Sequence, residues 1–284
     1  MKEFKDKVAV ITGAASGIGR SIAFRCAKEG MKVVLSDVQE KALTETETEM
    51  KAQGATVLPV LTDVSKASDV EALAQKTLDA FGGVHLLCNN AGVGGGTSIW
   101  ESTIADWQWV MGVNLWGVIH GVRVFVPIML EQDTEGHIVN TASVAGLISA
   151  PGLGVYQVTK HGVVTLSETL HHEVAQQNAK VKVSVLCPGF VNTNIMDSDR
   201  NRPDELQNAS AQAQENSGVS ELKETIREAV QAGTSPDVVA DYVFQAIRDE
   251  KFYILTHPEL KHAVQTRLED ILLQRNPTTI GLTH

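Results

Sequence analysis

The sequence has few cysteines and little apolar character in its first residues, and both features narrow the expected class of protein. Its 284 residues include only three cysteines, Cys26, Cys88 and Cys187, which lie far apart. An odd number without close spacing fits neither a disulfide framework nor a zinc site. Each lies in an apolar stretch, where cysteine packs as a small hydrophobic residue. The amino terminus lacks the apolar core of a signal peptide. We therefore expect no bound metal and a reducing, cytoplasmic setting.

Charge and hydropathy exclude two further kinds of partner. The 34 acidic residues outnumber the 24 basic ones, for a formal net charge of −10, which argues against binding to nucleic acid or to an anionic membrane surface. No apolar run reaches the roughly 18 residues of a membrane span. With 43% hydrophobic and 20% charged residues, the composition is that of a globular protein. We predict one domain over residues 1–284 and a small-molecule partner.

Short apolar segments alternate with helical patterns along the chain. The predicted strands are 7–12, 32–36, 56–60, 84–89, 137–141, 181–186 and 252–256, and the predicted helices are 17–29, 40–53, 65–81, 104–131, 154–177, 236–250 and 258–274. The helix at 104–131 should be interrupted near Asn114 and Gly117. Fully apolar strands in this alternation predict a parallel sheet with helices on both faces. Right-handed crossovers make it an α/β, Rossmann-like, doubly wound sheet of about seven strands.

The segment 190–235 departs from this alternation. It is polar, rich in Asn, Gln, Ser and Glu, and contains one helical stretch at about 221–231. A connector of this length is too long to be passive. We predict a substrate-binding loop or lid, from which Phe190, Ile195 and Met196 could close over a ligand.

A glycine-rich turn follows the first predicted strand. The segment Thr12-Gly-Ala-Ala-Ser-Gly-Ile-Gly19 leads into the first helix, whose free N–H groups and positive dipole end favour phosphate. Glycine permits the sharp bend and a close approach of the ligand, although such a turn can also serve tight packing. Its position after the first strand favours dinucleotide binding. The candidate residues are Gly13, Ser16, Gly17, Ile18 and Gly19.

Carboxylates end the second and third predicted strands. Asp37 lies twenty-four residues after Gly13, where a carboxylate accepts hydrogen bonds from an adenosine ribose and repels a 2′-phosphate. No basic residue follows it, so we predict NAD rather than NADP. The alternative is that Asp37 only caps a loop. Asp63 and Val64 end the third strand, where they can meet the adenine edge.

A phenol, an ammonium and a hydroxyl come together around residue 156. Tyr156 and Lys160 are four residues apart on a predicted helix and share a face, and Ser143 lies thirteen residues upstream of Tyr156. A nearby ammonium should bring the pKa of the phenol towards neutrality, as a general acid/base requires. Ser143 can hydrogen-bond the same substrate oxygen. The group predicts proton transfer to or from a carbonyl oxygen.

With these motifs, the chain resembles the short-chain dehydrogenase/reductase family over residues 5 to about 195. The glycine turn is similar to the family's cofactor turn, and Asn89-Asn-Ala-Gly92 to its fourth-strand motif, which places Asn90, Ala91 and Gly92 on the adenosine side. Pro188-Gly189-Phe-Val-Asn-Thr193 is similar to the segment that binds the nicotinamide amide and phosphates, through Pro188, Gly189, Val191 and Thr193.

The resemblance also implies catalytic roles. Tyr156 exchanges the proton, Lys160 lowers its pKa and binds the nicotinamide ribose, and Ser143 orients the substrate. Asn114 kinks the long helix and holds a water that links the lysine to solvent. The resemblance further implies a homo-oligomer, a tetramer or a dimer, formed through the two long helices. The chain departs from the smallest family members after residue 195, where its loop is longer.

The loops expected around the pocket indicate a neutral substrate. Segments 93–100 and 144–153 contain no Lys or Arg, so an anion would have no fixed countercharge there. Arg200 and Arg202 in the lid have acidic neighbours, which suggests that they are solvated. We predict an NAD-dependent oxidoreductase that interconverts an apolar secondary alcohol and a ketone. The alternatives are an NADPH-dependent carbonyl reductase and a non-catalytic dinucleotide-sensing protein; a sensor would need no proton-transfer group.

Overall fold

Seven parallel strands form one sheet in a computed structural model that describes residues 1–95, 98–208 and 217–279, with only the backbone for 217–220. The strand order is β3-β2-β1-β4-β5-β6-β7. The strands are β1 (Val8–Thr12), β2 (Lys32–Asp37), β3 (Val57–Leu61), β4 (Leu86–Asn89), β5 (Gly136–Thr141), β6 (Val181–Cys187) and β7 (Tyr253–Leu255). The predicted Rossmann-like sheet is confirmed, and all seven predicted strands are present.

The helices lie where the hydrophobic periodicity predicts them, to within a few residues. They are α1 (Gly17–Lys28), α2 (Glu40–Ala52), α3 (Ala67–Phe81), α4 (Ile104–Met111), α5 (Gly117–Glu131), α6 (Gly154–Gln176), α7 (Ser217–Gln231), α8 (Pro236–Asp249) and α9 (Lys261–Leu272). A π-helical turn, Gly112–Trp116, separates α4 from α5. This turn confirms the predicted interruption of the long helix.

Alternate side chains of each strand pack into different cores, because successive residues of a strand point to opposite faces. In β1, Ala9 and Ile11 pack with Ile22 of α1 and Phe244 of α8. Val8 and Val10 of the same strand pack on the opposite face with residues of α3, α5 and α6. Both faces of the sheet are therefore covered, as the apolar strands predict.

The helical stretch Ile104–Glu131 spans 28 residues and is long and apolar enough, by length and composition, to cross a membrane. The sequence analysis considered uninterrupted apolar runs, and polar residues such as Asp106 and Arg123 interrupt this stretch, whose average hydropathy nevertheless meets the requirement. A core helix of a globular domain meets it as well. Here Phe125 and Met129 are buried in the core, where they pack with Leu73 of α3 and Val10 of β1.

Strands β2 and β3 lie on one side of β1, and strands β4 to β7 lie on the other. This change of side between β1 and β4 positions the site. β1 pairs with β2 on one side, with Val10 opposite Val34, and with β4 on the other, with Val10 opposite Leu87. The connections that leave β1 and β4 therefore diverge at the carboxyl edge and open a crevice, which is where ligands bind in doubly wound sheets.

The segment 190–235 carries more structure than the sequence predicts. Two short 3₁₀ helices cover Asn194–Asn201 and Asp204–Leu206, and α7 begins at Ser217, four residues before the predicted helix. Its two ends meet in a bridge between Val191 and Thr234. Residues 209–216 of this segment, and residues 96–97 of the predicted pocket loop 93–100, lie outside the described residues.

Candidate active site

The turn between β1 and α1 requires glycine at three positions. Gly13 and Gly17 have φ angles of +68° and +53°, a region that residues with a Cβ rarely adopt. A Cβ at Gly13 would lie 2.9 Å from the Ala91 Cα, and one at Gly17 would lie 2.9 Å from the Thr193 Cγ2. A Cβ at Gly19 would lie 2.1 Å from the Gly13 oxygen. The turn therefore packs directly against the backbone after β4 and the Thr193 side chain at the start of α1.

Asp37, at the end of β2, holds the backbone of this turn by hydrogen bonds. Its carboxylate accepts from the backbone N–H of Ala15 and of Gln39, each at 3.0 Å, and the residue is 8% exposed. Asp63, after β3, accepts from the N–H of Ser65 at 3.0 Å. Two carboxylates are thus held at the carboxyl edge of neighbouring strands. The hydrogen bonds to Asp37 show that it braces the turn, as the loop-capping alternative expects; its role towards a ligand stays a prediction.

Thr12 joins the turn to the residues after β4. Its Oγ1 accepts from the backbone N–H of Asn90 at 2.9 Å and of Ala91 at 3.0 Å. The Asn90 side chain donates back to the Thr12 carbonyl at 3.0 Å. Sequence reasoning assigned Thr12 no role beyond ending the strand. The signal was its place as the last residue of β1, directly before the glycine turn.

Tyr156 and Lys160 lie one turn apart on α6, as predicted. The Lys160 Nζ is 5.5 Å from the centre of the Tyr156 ring and donates to the Thr141 carbonyl at the end of β5 at 3.0 Å. Ser143 follows β5, and its Oγ accepts from the Ala145 N–H at 3.1 Å. Phenol, ammonium and hydroxyl are therefore held together by α6 and the end of β5.

Burial controls the ionisation of this group. It raises the pKa of Tyr156 to about 12, which the hydrogen bond with Ser143 offsets only in part. Burial also lowers the pKa of Lys160 to about 8. The prediction that the lysine brings the pKa of the phenol towards neutrality is wrong in this structure, because desolvation disfavours the phenolate more strongly than its neighbours favour it. At neutral pH the phenol keeps its proton.

Asn114 lies in the π-helical turn and is fully buried. Its Oδ1 accepts from the Val93 N–H at 2.8 Å, and its Nδ2 donates to the Val93 carbonyl at 3.0 Å. A Cβ on Gly92 would lie 3.4 Å from the Asn114 Oδ1 and 3.6 Å from the Lys160 Nζ. Asn114 therefore holds the loop after β4 and lies close to the lysine. The predicted water relay stays a prediction.

The segment after β6 closes the site from the opposite side. The Pro188 carbonyl accepts from the Val144 N–H at 2.9 Å and from the Ser143 Oγ at 3.3 Å. Val191 is buried, and Thr193 packs against Gly17 of the glycine turn. This segment therefore contacts both the glycine turn and the loop that carries Ser143.

A single cleft of about 810 Å³ brings these residues together. Of the predicted site residues, those that line it are Gly13, Ser16, Gly17, Ile18, Asp37, Asp63, Val64, Asn90, Ala91, Gly92, Ser143, Tyr156, Lys160, Pro188, Gly189, Val191 and Thr193. Two predicted residues, Gly19 and Asn114, do not line the cleft. The lid residues Phe190, Ile195 and Met196 also line it, as predicted.

The lid contacts the loop after β4 and the helix α4. Ser198 Oγ accepts from the Gly94 N–H at 2.9 Å. Arg202 donates to Asp106 at 2.7 Å, with only 8% of its side chain exposed, and its guanidinium lies 5.1 Å from the Trp109 ring centre. The prediction that Arg202 is solvated is therefore wrong, because its ion-pair partner lies on α4, far from it in sequence. Arg200 is exposed and donates to two lid carbonyls.

His257 is a second residue that sequence reasoning missed. It follows β7, and its ring hydrogen-bonds the backbone of Gly189 and Phe190 beside the cleft. The sequence carries no motif around it. Its only signal is the position directly after the last strand, at the edge where the site lies.

The comparisons with known proteins agree with this geometry. The model of the short chain dehydrogenase family matches residues 7–204. A short chain dehydrogenase/reductase from Burkholderia phymatum, solved in complex with NAD, is 51% identical, with a TM-score of 0.96 and 99% of each chain covered. A CLA biosynthesis dehydrogenase/reductase of Lactiplantibacillus plantarum is 35% identical over 98% of this chain and 97% of its own.

A third relative is similar over a shorter stretch. The diacetyl reductase of Staphylococcus epidermidis, which forms (S)-acetoin, is 36% identical over 191 residues, or 67% of this chain and 74% of its own. The family model covers well over half of the chain, and the Lactiplantibacillus relative covers nearly all of it. The chain therefore belongs to the short chain dehydrogenase family of oxidoreductases.

Proposed function

We propose that this oxidoreductase interconverts a secondary alcohol and a ketone with NAD as its cofactor, and that the substrate is neutral and largely apolar. One observation carries the proposal. The glycine turn and Asp37 line the same cleft as Ser143, Tyr156 and Lys160, so a nucleotide and a proton-transfer group would share one site.

The residues of the cleft fit a dinucleotide. The turn at Gly13 and Gly17 has no room for a Cβ, and the first turn of α1 contains no acidic residue that would repel a phosphate. Asp37 retains lone pairs for ribose hydroxyls, and its charge would repel a 2′-phosphate. The relative from Burkholderia phymatum, which was solved with NAD, supports the same choice. NAD, when bound, supplies the carbon that accepts or gives the hydride.

Tyr156 is the proposed proton-transfer group. Its raised pKa keeps the phenol protonated at neutral pH, so it can donate a proton to a carbonyl oxygen in the direction of reduction. Ser143 would hold the same oxygen by turning its O–H from the Pro188 carbonyl, which accepts it in this structure, towards the substrate, while the Ala145 N–H keeps the Oγ in place. The pKa of Lys160 near 8 leaves most of this side chain charged at pH 7, and we propose that it binds a ribose hydroxyl.

Apolar side chains support the choice of a neutral substrate. Trp109, Val155 and Ile226 line the cleft together with Ile195 and Met196 of the lid. Arg202 already neutralises Asp106, so this cation is not available as a countercharge for a substrate anion. The diacetyl reductase of Staphylococcus epidermidis is a relative whose name describes reduction of a neutral ketone.

The proposal also covers the cellular location of the protein and its oligomeric state. We propose one catalytic domain over residues 1–284, a cytoplasmic location and no nucleic-acid or membrane partner, and the three free, buried cysteines are in keeping with a reducing compartment. We also propose a homo-oligomer, a dimer or a tetramer. Trp116, the last residue of the π-helical turn before α5, and Val158 on α6 support it, since these apolar side chains are 49% and 44% exposed.

Replacement of Tyr156 by phenylalanine tests the function. Tyr156→Phe removes one hydroxyl from the cleft, so we expect kcat to fall by roughly 10²–10⁴-fold while NADH still binds. A panel of cyclic, aryl and aliphatic secondary alcohols, followed by NADH absorbance, provides the substrate. Tyr242→Phe, at a tyrosine of α8 that is 42% exposed, is the matched control and should keep wild-type turnover. Unchanged turnover in Tyr156→Phe contradicts the proposal.

A further inference from the structure

His257, directly after β7, contacts the chain segment that forms one wall of the cleft. Its Nδ1 lies 3.0 Å from the backbone nitrogen of Gly189, and its Nε2 lies 3.0 Å from the carbonyl oxygen of Phe190. One imidazole therefore hydrogen-bonds two consecutive residues of the segment 188–190. Both Gly189 and Phe190 line the cleft.

The backbone determines where the imidazole proton lies. The Gly189 N–H can only donate, so Nδ1 must accept; the Phe190 carbonyl can only accept, so the proton must be on Nε2. The Thr256 Oγ1 lies 2.8 Å from Nδ1, and the Thr234 Oγ1 lies 3.2 Å from Nε2. The neutral ring with its proton on Nε2 is the form that satisfies both backbone groups.

The imidazole also restricts this segment sterically. A Cβ at Gly189 would lie 2.8 Å from the His257 Cγ and 2.8 Å from the Leu260 Cδ1. On the other side of the segment, the Pro188 carbonyl accepts from the Ser143 Oγ. The segment 188–190 is therefore fixed between the proposed substrate-orienting serine and the histidine.

The same ring lies where the lid begins and ends. The Thr234 N–H donates to the Phe190 carbonyl at 3.0 Å, and the Asn192 N–H donates to the Thr234 carbonyl at 2.9 Å. His257 contacts Phe190 at the start of this lid and Thr234 at its end. Movement of the ring would therefore shift the wall of the cleft and the base of the lid together.

We infer that His257 is a positioning residue that fixes the backbone of Pro188–Phe190 against the reacting end of the cofactor. The inference rests on the proposed function. Because Tyr156 exchanges the proton with the substrate carbonyl, the hydride-carrying ring must lie beside it, at the end of the cleft that Ser143 and Pro188 share. Asp37, at the glycine turn, defines the adenosine end. His257 should therefore affect the nicotinamide end and leave the adenosine end unchanged.

The binding of two ligands distinguishes an effect at the nicotinamide end of the cleft from an effect at the adenosine end. NADH occupies both, whereas ADP-ribose lacks the nicotinamide ring. Titration calorimetry of each ligand should show that His257→Leu weakens NADH binding by roughly tenfold or more, because the Gly189 N–H loses its acceptor. ADP-ribose should bind within about twofold of wild type. His257→Asn, whose amide oxygen can take the place of Nδ1, should recover most of the NADH affinity.

His85 provides the matched control. Its Nδ1 also accepts a backbone N–H, that of Val8 at 3.2 Å, but at the amino edge of the sheet, opposite the cleft. His85→Leu should leave the ratio of NADH to ADP-ribose affinity at the wild-type value. If His257→Leu does not fold, His257→Gln replaces it: its amide nitrogen can reach Phe190 but leaves Gly189 without an acceptor, so it should bind NADH as weakly as expected for His257→Leu.

Three outcomes overturn the inference. Equal losses for both ligands would mean that His257 only stabilises the fold, and unchanged NADH binding would mean that the contact has no role. Failure of His257→Asn to bind NADH better than His257→Gln would remove the acceptor argument. A wild-type protein that binds neither ligand would instead overturn the proposed function, on which the inference rests.

Discussion

The ion pair between Arg202 and Asp106 should hold the lid against α4, and removing it should weaken substrate binding. The Arg202 Nη1 lies 2.7 Å from the Asp106 Oδ1, with side-chain exposures of 8% and 22%. Burial alone would raise the pKa of Asp106, yet hydrogen bonds from Thr103, Arg202 and Asn208 hold that pKa below its ordinary value. The carboxylate is therefore charged at neutral pH, and the pair is ionic.

The magnitude follows from this geometry. Two unit charges about 4 Å apart attract by about 4 kcal/mol at an effective dielectric constant of about 20, and desolvation of a partly buried pair offsets much of this. We expect a net coupling of about 1–2 kcal/mol, above the range of a fully exposed pair. If that coupling closes the lid over the substrate, Arg202→Met should raise the substrate KM by roughly 5–30-fold.

A double-mutant cycle measures the coupling directly. Arg202→Met, Asp106→Asn and the double variant are compared in urea unfolding and in steady-state kinetics with the alcohol that the panel identifies. Arg200→Met is the matched control, because Arg200 is also a lid arginine, and its hydrogen bonds within the described residues go to two carbonyls of the lid. It should keep the wild-type KM. Additive single effects, or an unchanged KM in Arg202→Met, would refute the role of the pair in closing the lid.

Two further predictions concern charged residues of the cleft. Asp37→Asn removes the charge that disfavours a 2′-phosphate, so the affinity for NADP relative to NAD should rise by roughly tenfold; calorimetry with both cofactors checks this, and a constant ratio would contradict it. Burial lowers the pKa of Lys160 from 10.5 to about 8, so between these values the unfolded chain binds a proton that the folded chain does not. The free energy of unfolding should therefore gain about 3 kcal/mol as pH rises through this window. Lys160→Met should lack that gain in urea unfolding at pH 7.5 and 10, and an identical pH dependence in both proteins would refute it.

The order of apolar and helical patterns along the chain was sufficient to predict the sheet and most of the named residues that line the cleft. Fully apolar strands such as Val8–Thr12 have side chains on both faces that require cover, so helices on both sides follow without knowledge of any contact. Gly13, Gly17 and Asp37 were identifiable because turn glycines and strand-end carboxylates are set by local backbone geometry. Tyr156 and Lys160 were identifiable because a spacing of four residues fixes a common helix face.

Contacts between segments that are far apart in the sequence could not be predicted from such local spacings. Arg202 has acidic neighbours in sequence, which predicted a solvated side chain, yet its partner Asp106 is ninety-six residues away. The ionisation of Tyr156 was predicted from Lys160 alone, because sequence spacing shows the nearby charge but not the burial that outweighs it.

The sequence by itself determined the order of strands and helices, the position of the glycine turn and the common helix face of Tyr156 and Lys160, because each depends on spacings of a few residues. Only the tertiary structure decided which carboxylate neutralises Arg202, how deeply Tyr156 and Lys160 are buried, and that His257 contacts the wall of the cleft sixty-eight residues before it. The physical reason is that ion pairing, desolvation and hydrogen bonding depend on distances in space. Those distances are set by how the sheet brings the carboxyl ends of β5, β6 and β7 together.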